Sequence, residues 1–522
     1  MPNRDSFGEI HLDVSGGRER VPSKPESETP FRIAILGDFS GRANRHLIEI
    51  GDALASKRPI LVDRDNFDSV FAKISPRLNL QLGGEGEAET ALKFGELDDF
   101  HPDRLFQQAQ LFRKLRETRD KLSDPETFAQ TAEEIGIVQA RPSAAPPTRP
   151  EPHRISNADV QQVVSGNFLD QLAEETEARA GQSAASRAPD QWTSFVHKIV
   201  APHVVSKADP RQAEVVALID RVTSAQMCAL LHLPELQALE AAWRAVFFLV
   251  RNIETSDRLK LYLIDVSKEE LARDLASSQN LRSTGIYRLL VEKTVGTPGA
   301  EPWAVLAGNF TFEPSQRDAA LLARMAKVAA SAGAPFLAGA SPHLLGCESV
   351  ADLPDPRQWT KQPTPEAAAA WATLRGLPEA GYLGLALPRF LLRLPYGKDT
   401  DSTELFEFEE FSDSAAHEDY LWANPAFAAV LLLAQTFAEQ GWDLRPGAAS
   451  EISGLPIHIL TVDGEPRTTP CAEVLMTESA AERMMELGFM PLASLKDQPA
   501  VKWVRFQSFS EPLTALAGRW CA

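Results

Sequence analysis

The stretch Leu259–Val266, LKLYLIDV, is nearly all apolar, which is typical of a β-strand covered on both faces. A helix-forming segment with acidic residues follows over 268–275, and WAVLAGNFTF (Trp303–Phe312) is the next strand-like run. The same alternation of helix and strand repeats over 319–332, 335–340 and 382–388. Strands that alternate with helices predict an α/β fold, here a large domain with a mixed sheet clad in helices.

A smaller α/β unit is predicted at the N-terminal end of the chain. FRIAIL (Phe31–Leu36) is a short apolar run ended by Gly37, which indicates a buried strand. Pro102 begins a helix with Asp103 in its first turn, where the helix dipole favours a carboxylate.

Between these two parts lies a proline-rich tether. The segment 141–152, RPSAAPPTRPEP, favours extended backbone and offers no side chain that anchors a core. We therefore expect two separately folding parts and three regions. They are a small domain at 1–136, a linker with a short amphipathic helix at 137–190, and a large domain at 191–522.

The composition excludes several classes of partner. The chain has 522 residues, with 53 basic and 72 acidic side chains and a net charge of −19, so its surface repels nucleic acid and anionic lipid.

No segment of the sequence is long and apolar enough to span a membrane, and the first thirty residues lack a signal-peptide core. The four cysteines are far apart, which fits a reducing cytoplasm.

The motifs of common enzymes are absent from the sequence. PYGKDT (Pro395–Thr400) lacks the earlier glycine of a phosphate loop, and ILGDFSG (Ile35–Gly41) lacks the GxGxxG pattern of a dinucleotide site. Asp38 in the second motif would repel a pyrophosphate. The ten histidines do not form a zinc motif, and no GxSxG elbow occurs. The sequence therefore predicts no catalytic residue, cofactor or metal.

Carboxylates are concentrated in residues 401–420, DSTELFEFEEFSDSAAHEDY. Such a run is usually a solvated face, here with interleaved apolar side chains docked on the protein. The alternative hypothesis is an acidic docking surface for a basic partner, formed by Glu407, Glu409 and Glu410.

Two sets of motifs in the chain carry a family resemblance. Phe31–Arg42 and Leu92–Leu122, which includes DDFHPDRL, resemble the small (TssB-like) subunit of the contractile sheath of the bacterial type VI secretion system. The rest of the chain resembles the large (TssC-like) subunit over a series of motifs, namely Leu233–Val250, Leu261–Leu275, Glu301–Phe312, Ala329–Pro342, Leu385–Gly397, Asp419–Ala428 and Gly488–Lys496.

The resemblance implies a structural role without catalysis. It predicts a cytoplasmic subunit that assembles with itself or other sheath subunits and contracts around an inner tube protein. The baseplate and a recycling AAA+ unfoldase are the other implied partners. Fusion of the two subunits fixes their stoichiometry and raises their effective concentration for each other.

Ile10, Leu12 and Val14 alternate with polar residues, which predicts a strand near the N-terminal end. Because main-chain pairing tolerates a change in the angle between subunits, this segment is a candidate for exchange between subunits. The alternative is an ordinary edge strand of the first domain.

Phe168, Leu169 and Leu172 lie on one face of a predicted short acidic helix, NFLDQLAEETEA (167–178). By resemblance, this helix binds the unfoldase in a groove. The alternative is a helix docked on its own domain.

Several family-motif positions carry aromatic, charged or proline side chains, and we predict that they are structural. They are Asp38, Asp99, Phe100, Pro102, Trp243, Arg389, Arg393, Tyr396 and Trp422.

The chain departs from the family at its C-terminal end. Large subunits continue with a further domain, which we expect to be missing after Ala522. A sheath cap, terminator or assembly factor is therefore the first alternative function, and an α/β enzyme with an unrecognised site is the second.

Overall fold

The computed structural model describes residues 25–81, 90–135, 211–295, 297, 299–349, 353–411, 416–462 and 465–521. These residues form two compact units that are discontinuous in sequence. The sheet unit comprises the described residues of 1–76, 238–394 and 416–522, and the helical unit comprises those of 77–237 and 395–415.

The strands are β1 (Phe31–Gly37), β2 (Ile60–Val62), β3 (Arg77–Leu80), β4 (Thr90–Lys93), β5 (Leu259–Asp265), β6 (Val305–Phe312), β7 (Phe336–Ala340), β8 (Leu383–Leu387), β9 (Phe390–Leu391), β10 (Trp422–Ala423), β11 (Glu451–Ser453), β12 (His458–Val462), β13 (Glu465–Thr469), β14 (Met490–Ser494) and β15 (Ala500–Trp503).

The α-helices are α1 (Asp52–Ala55), α2 (Phe67–Ile74), α3 (Pro102–Gln108), α4 (Gln110–Ser123), α5 (Pro125–Glu134), α6 (Gln212–Leu231), α7 (Pro234–Asn252), α8 (Lys268–Ala276), α9 (Gly285–Tyr287), α10 (Gln316–Ala332), α11 (Pro365–Arg375), α12 (Pro425–Gln440) and α13 (Glu478–Glu486). A π-helical turn, Arg288–Glu292, follows α9.

The sheet unit is built on nine strands in the order β11-β15-β14-β8-β7-β6-β1-β5-β2. The strands β14, β8, β7, β6, β1 and β5 run parallel. At one edge β2 pairs antiparallel with β5, and at the other β15 pairs antiparallel with both β14 and β11. β1 therefore lies between two strands that come far later in the chain, β5 and β6. The α/β class and the mixed sheet predicted from the sequence are confirmed.

Both faces of this sheet are covered. Successive side chains of a strand point to opposite faces, so nearly every side chain of the central strands is buried. Ala34 and Leu36 of β1 belong to one core with Leu385 and with the apolar side chains of α8, α10 and α11. On the other face, a Cβ atom at Gly339 would lie 2.8 Å from the side-chain amide of Asn424, directly before α12, so a larger residue would have to displace that amide. This double covering explains why β1, β5 and β7 are apolar at nearly every position.

The helical unit combines the β3–β4 hairpin with α3, α4, α5 and α6. The predicted helix from Pro102 forms, but it breaks at Ala109 into α3 and α4. Residues 395–411 also belong to this unit, where Phe406 stacks on Phe106 with ring centroids 4.7 Å apart.

The expected domain boundaries at 136 and 190 stay a prediction, since residues 136–210 lie outside the described part. The expectation of two separately folding parts does not fit the sheet unit. β1 comes from the N-terminal part and pairs with β5 over seven residues of the C-terminal part.

Candidate assembly site

Arg42 is the centre of a buried ion network in the sheet unit. Its Nε and Nη2 atoms donate to the two carboxylate oxygens of Glu270 at 2.8 and 2.9 Å. A further bond of 2.6 Å joins Nη2 to Glu49, and Glu49 in turn binds Lys57 at 2.9 Å. Glu270 is completely buried, so its charge depends on these partners.

The pKa values follow this geometry. Burial lowers the pKa of Arg42. The hydrogen bond to Glu270 and the charges of the surrounding carboxylates raise it by more, so the net pKa is raised. Burial raises the pKa of Glu270, and the Arg42 bond and two backbone N–H groups outweigh it, so the net pKa is lowered. Both groups are therefore held in their charged forms.

Asp265, the last residue of β5, binds the loop that follows β1. Its Oδ1 atom accepts from the N–H groups of Phe39 and Ser40 at 2.9 and 3.1 Å. Its Oδ2 atom accepts from the Ser40 hydroxyl at 2.8 Å and lies 3.6 Å from Nη1 of Arg42. Burial raises the pKa of Asp265, whereas the Ser40 hydrogen bond lowers it by less.

The motif residues Asp38, Trp243 and Arg393 have structural partners in the same unit. Asp38 accepts from two backbone N–H groups of its own loop, at Arg42 and Ala43. The Trp243 indole donates to the carbonyl of Phe39 at 2.8 Å, and its ring is fully buried. Arg393 donates to the buried Glu240 at 2.8 Å. These contacts agree with a structural role for the three residues.

Arg389 forms a second network. Its Nε atom donates to buried Glu473 at 2.7 Å, and its terminal nitrogens donate to Glu418 at 2.9 and 3.1 Å. His417 lies 3.0 Å from Glu473, and its ring stacks on Trp422. His417, Glu418 and Glu473 are close enough to hold a metal ion, but the guanidinium of Arg389 already supplies the cation. The geometry is that of an ion-pair network.

The acidic-surface hypothesis is wrong for one of its three residues, Glu410, which lies in the segment 395–411 of the helical unit. Glu410 is only 4% exposed. Its Oε2 atom accepts from the N–H of Tyr396 at 2.7 Å, and its Oε1 atom lies 3.4 Å from His232. Glu410 is therefore a buried structural residue, whereas Glu407 and Glu409 are exposed.

The remaining motif residues of the helical unit also have buried or hydrogen-bonded surroundings, in line with the predicted structural role. Asp99 accepts from the N–H of Gly95 at 2.6 Å and so caps the short turn before α3. Phe100 is buried and stacks on Phe94, with centroids 4.2 Å apart. Pro102 opens α3, and Tyr396 is buried with its ring edge-on to His101.

The β12–β13 hairpin is a separate two-stranded sheet of the sheet unit. Thr461 lies opposite Pro466 in the register. Because proline has no N–H, these two residues form a non-hydrogen-bonded pair, and their main-chain groups point away from the partner strand. The alternation places the main-chain groups of Ile459 outward too, and its side chain is 61% exposed. Within the described residues no further strand pairs with β12. Its outer edge therefore has no strand partner in the part of the chain that the structure describes.

Three other strand edges carry groups that oppose pairing. The Gln108 side chain bonds both the N–H and the carbonyl of Lys93 on β4. Asn66 donates to the carbonyl of Leu61 on the edge strand β2 at 3.4 Å. Pro466 removes a donor from the outer edge of β13. Among the described residues, none of these protections against pairing with another strand is found at the edge of β12.

Two predicted sites lie outside the described residues. They are the exchanged-strand candidate with Ile10, Leu12 and Val14, and the unfoldase-docking candidate with Phe168, Leu169 and Leu172.

Sequence reasoning missed the carboxylates that hold the arginines. Glu270 had one available signal, because Ser267 and Glu270 have the S-x-x-E spacing of a capping box and form one here. Asp265 and Glu473 had no such signal, since their partners are distant in sequence.

Among the described residues, no single helix is long and apolar enough to cross a membrane. One bent pair, α6 with α7, passes that test of length and composition jointly.

Comparison with known proteins gives two family matches. Residues 213–510 match the VipB (EvpB) family, described as the tail sheath N-terminal domain. Residues 11–135 match the VipA family of the type VI secretion system. The class defined by these matches is that of tail sheath proteins.

Two curated relatives come from Pseudomonas aeruginosa strain PAO1. The type VI secretion system sheath protein TssC1 is 35% identical over 304 residues, covering 57% of this chain and 61% of the relative. The sheath protein TssB1 is 27% identical over 165 residues, covering 29% of this chain and 91% of the relative. The chain therefore spans about three fifths of the length of TssC1.

Because the VipB match covers more than half of its residues, the chain belongs to the VipB tail sheath family. It carries the VipA region in the same polypeptide, which makes it a fusion of the small and large sheath subunits. The family assignment made from the motifs is confirmed.

Proposed function

We propose that this protein is a structural subunit of a type VI contractile sheath that works in the cytoplasm by self-assembly and contraction around an inner tube. The observation that carries the proposal is the shared sheet, in which β1 of the VipA region lies between β5 and β6 of the VipB region. One chain thus supplies both halves of a sheath building block. Its role requires no catalytic chemistry.

The partners follow from this role. Copies of the chain or other sheath subunits bind each other, the inner tube protein fills the lumen, and the baseplate starts assembly. The segment 167–178 binds an AAA+ unfoldase, and exposed Glu407 and Glu409 face a basic partner. If the double variant Glu407→Gln/Glu409→Gln assembles as the wild type does, this acidic surface is not needed.

Self-assembly by strand addition is supported by the open edge of β12. The segment around Leu12 is the strand that we propose to pair between copies. Main-chain bonds to the outward groups of Ile459 and Thr461 would hold neighbours together while their angle changes.

Electron microscopy of the purified full-length protein tests the role. We expect long hollow tubes, whereas discrete particles would favour a cap, terminator or assembly factor. A monomer that binds ATP or GTP in calorimetry would favour an enzyme.

A matched pair of proline variants tests the edge. Ile459→Pro removes an outward N–H from the open edge of β12, and we expect it to abolish tubes. Thr468→Pro makes the same change on β13, where Pro466 already blunts the edge, so tubes should persist. Equal behaviour of the two variants, at equal thermal stability, contradicts strand addition at β12. Leu12→Pro tests the donor segment in the same assay.

A further inference from the structure

The loop after β1 has the geometry of an anion-binding loop. It follows the carboxyl end of a central parallel strand, which is where α/β sheets commonly bind ligands. The successive N–H groups of Phe39 and Ser40 and the Ser40 hydroxyl converge on one point, as in backbone nests for anions. The occupant of that point is the carboxylate of Asp265.

Cations surround the same point. Arg42 lies 3.6 Å from the Asp265 carboxylate. Lys57 donates to the main-chain carbonyl of Asp265 at 2.7 Å, and Arg45 donates to the carbonyl of Ser40 at 2.8 Å. Asp38, Glu49 and Glu270 offset these charges. The loop therefore offers three directed donors and nearby positive charge to a single small anion.

We infer that the N–H groups of Phe39 and Ser40 and the Ser40 hydroxyl form an oxyanion site whose ligand is the protein's own Asp265 carboxylate, and that removing this carboxylate opens the site to a small free carboxylate. The internal ligand completes the hydrogen bonds that a bound anion would otherwise supply. It also fixes the loop that positions Arg42 against Glu270. The inference does not rest on the proposed sheath function.

A second carboxylate, that of Asp274, accepts similar hydrogen bonds but differs from Asp265 in solvent exposure. Asp274 accepts from the N–H groups of Gly51, Gly285 and Ile286 at 2.7 to 3.0 Å, but it is completely buried. The side chain of Asp265 is 19% exposed, so a solute can reach the space that its removal leaves. Asp274 thus provides a matched control.

The experiment measures thermal unfolding of the full-length Asp265→Ala variant in the presence of sodium formate. Sodium chloride at equal ionic strength is the reference. We expect the variant to melt below the wild type. Formate should raise its melting temperature by about 1–2 °C, with a gain that grows as the logarithm of the formate concentration, because a ligand that binds only the native state stabilises it. The wild type and Asp274→Ala should show no gain over chloride.

Two outcomes overturn the inference. One is a formate effect on Asp265→Ala that is no larger than that of chloride. The other is an equal gain in the wild type or in Asp274→Ala, which indicates a general solute effect. If Asp265→Ala is recovered unfolded, refolding in formate decides, since native circular dichroism only with formate supports the site and none overturns it. Tube formation plays no part in the readout, so failure of the sheath proposal is detected separately.

Discussion

Arg42 and Arg389 each bind a buried glutamate, but the two ion pairs join different parts of the chain. Arg42 lies in the VipA region, and Glu270 lies 228 residues further on in the VipB region. Arg389 and Glu473 both lie in the VipB region. The Arg42 side chain is 10% exposed and that of Arg389 is 33% exposed. The first pair connects two regions of the family fusion, and the second joins two loops within the VipB region.

The largest expected effect is that of Glu270→Gln. It leaves the Arg42 guanidinium buried without its main counter-charge, which we expect to cost about 3–5 kcal/mol in the free energy of unfolding. Denaturant titration measures it. Glu269→Gln is the matched control, because Glu269 is exposed on the same helix and pairs with Arg273, and it should change stability by less than about 0.5 kcal/mol. Equal stability of the two variants would contradict the connecting role of Arg42.

Glu473→Gln should have a smaller effect, about 2 kcal/mol in the same titration. Arg389 loses its buried partner but remains partly exposed and keeps Glu418. If this variant is destabilised as much as Glu270→Gln, exposure does not separate the two networks.

The pH dependence of stability sharpens the comparison. The pKa of Glu270 is lowered from its ordinary 4.5, so its contribution is present at neutral pH and is lost as pH falls through the lowered value. Asp265 has a raised pKa and acts in the opposite direction over the range above its ordinary 3.8. We expect stability to fall below about pH 4.5. Glu270→Gln should make this fall less steep, and an unchanged slope would contradict the assignment.

The smallest effect is expected for Glu418→Gln. Glu418 is 70% exposed, and an exposed partner of an arginine contributes about 0.5 kcal/mol or less. A loss in unfolding free energy as large as that of Glu473→Gln would show that the exposed side of the Arg389 network matters as much as its buried side.

The sequence predicted the elements of the fold better than their arrangement. Apolar runs such as FRIAIL and LKLYLIDV identified β1 and β5, because strands buried on both faces need apolar side chains throughout. The pairing of β1 with β5 left no local pattern, since it joins residues 228 positions apart. A prediction of separately folding parts on either side of a proline-rich tether could not reveal this pairing.

The candidate sites show the same limit. Motif positions such as Trp243 and Arg393 were predicted from the sequence to be structural, but their partners Phe39 and Glu240 are known only from the structure. Glu410 looked like its exposed neighbours because a run of carboxylates does not reveal which one turns inward to bind the N–H of Tyr396.

The central position of β1 also bears on how the protein is made. β1 leaves the ribosome early, whereas β5 is complete only at Asp265 and β6 only at Phe312. Until both have left the ribosome, the apolar side chains of β1 lack at least one of the two strands that flank them. We therefore expect the nascent N-terminal region to stay protease-sensitive, and to become resistant when translation arrest is moved far enough beyond Phe312 for β6 to emerge.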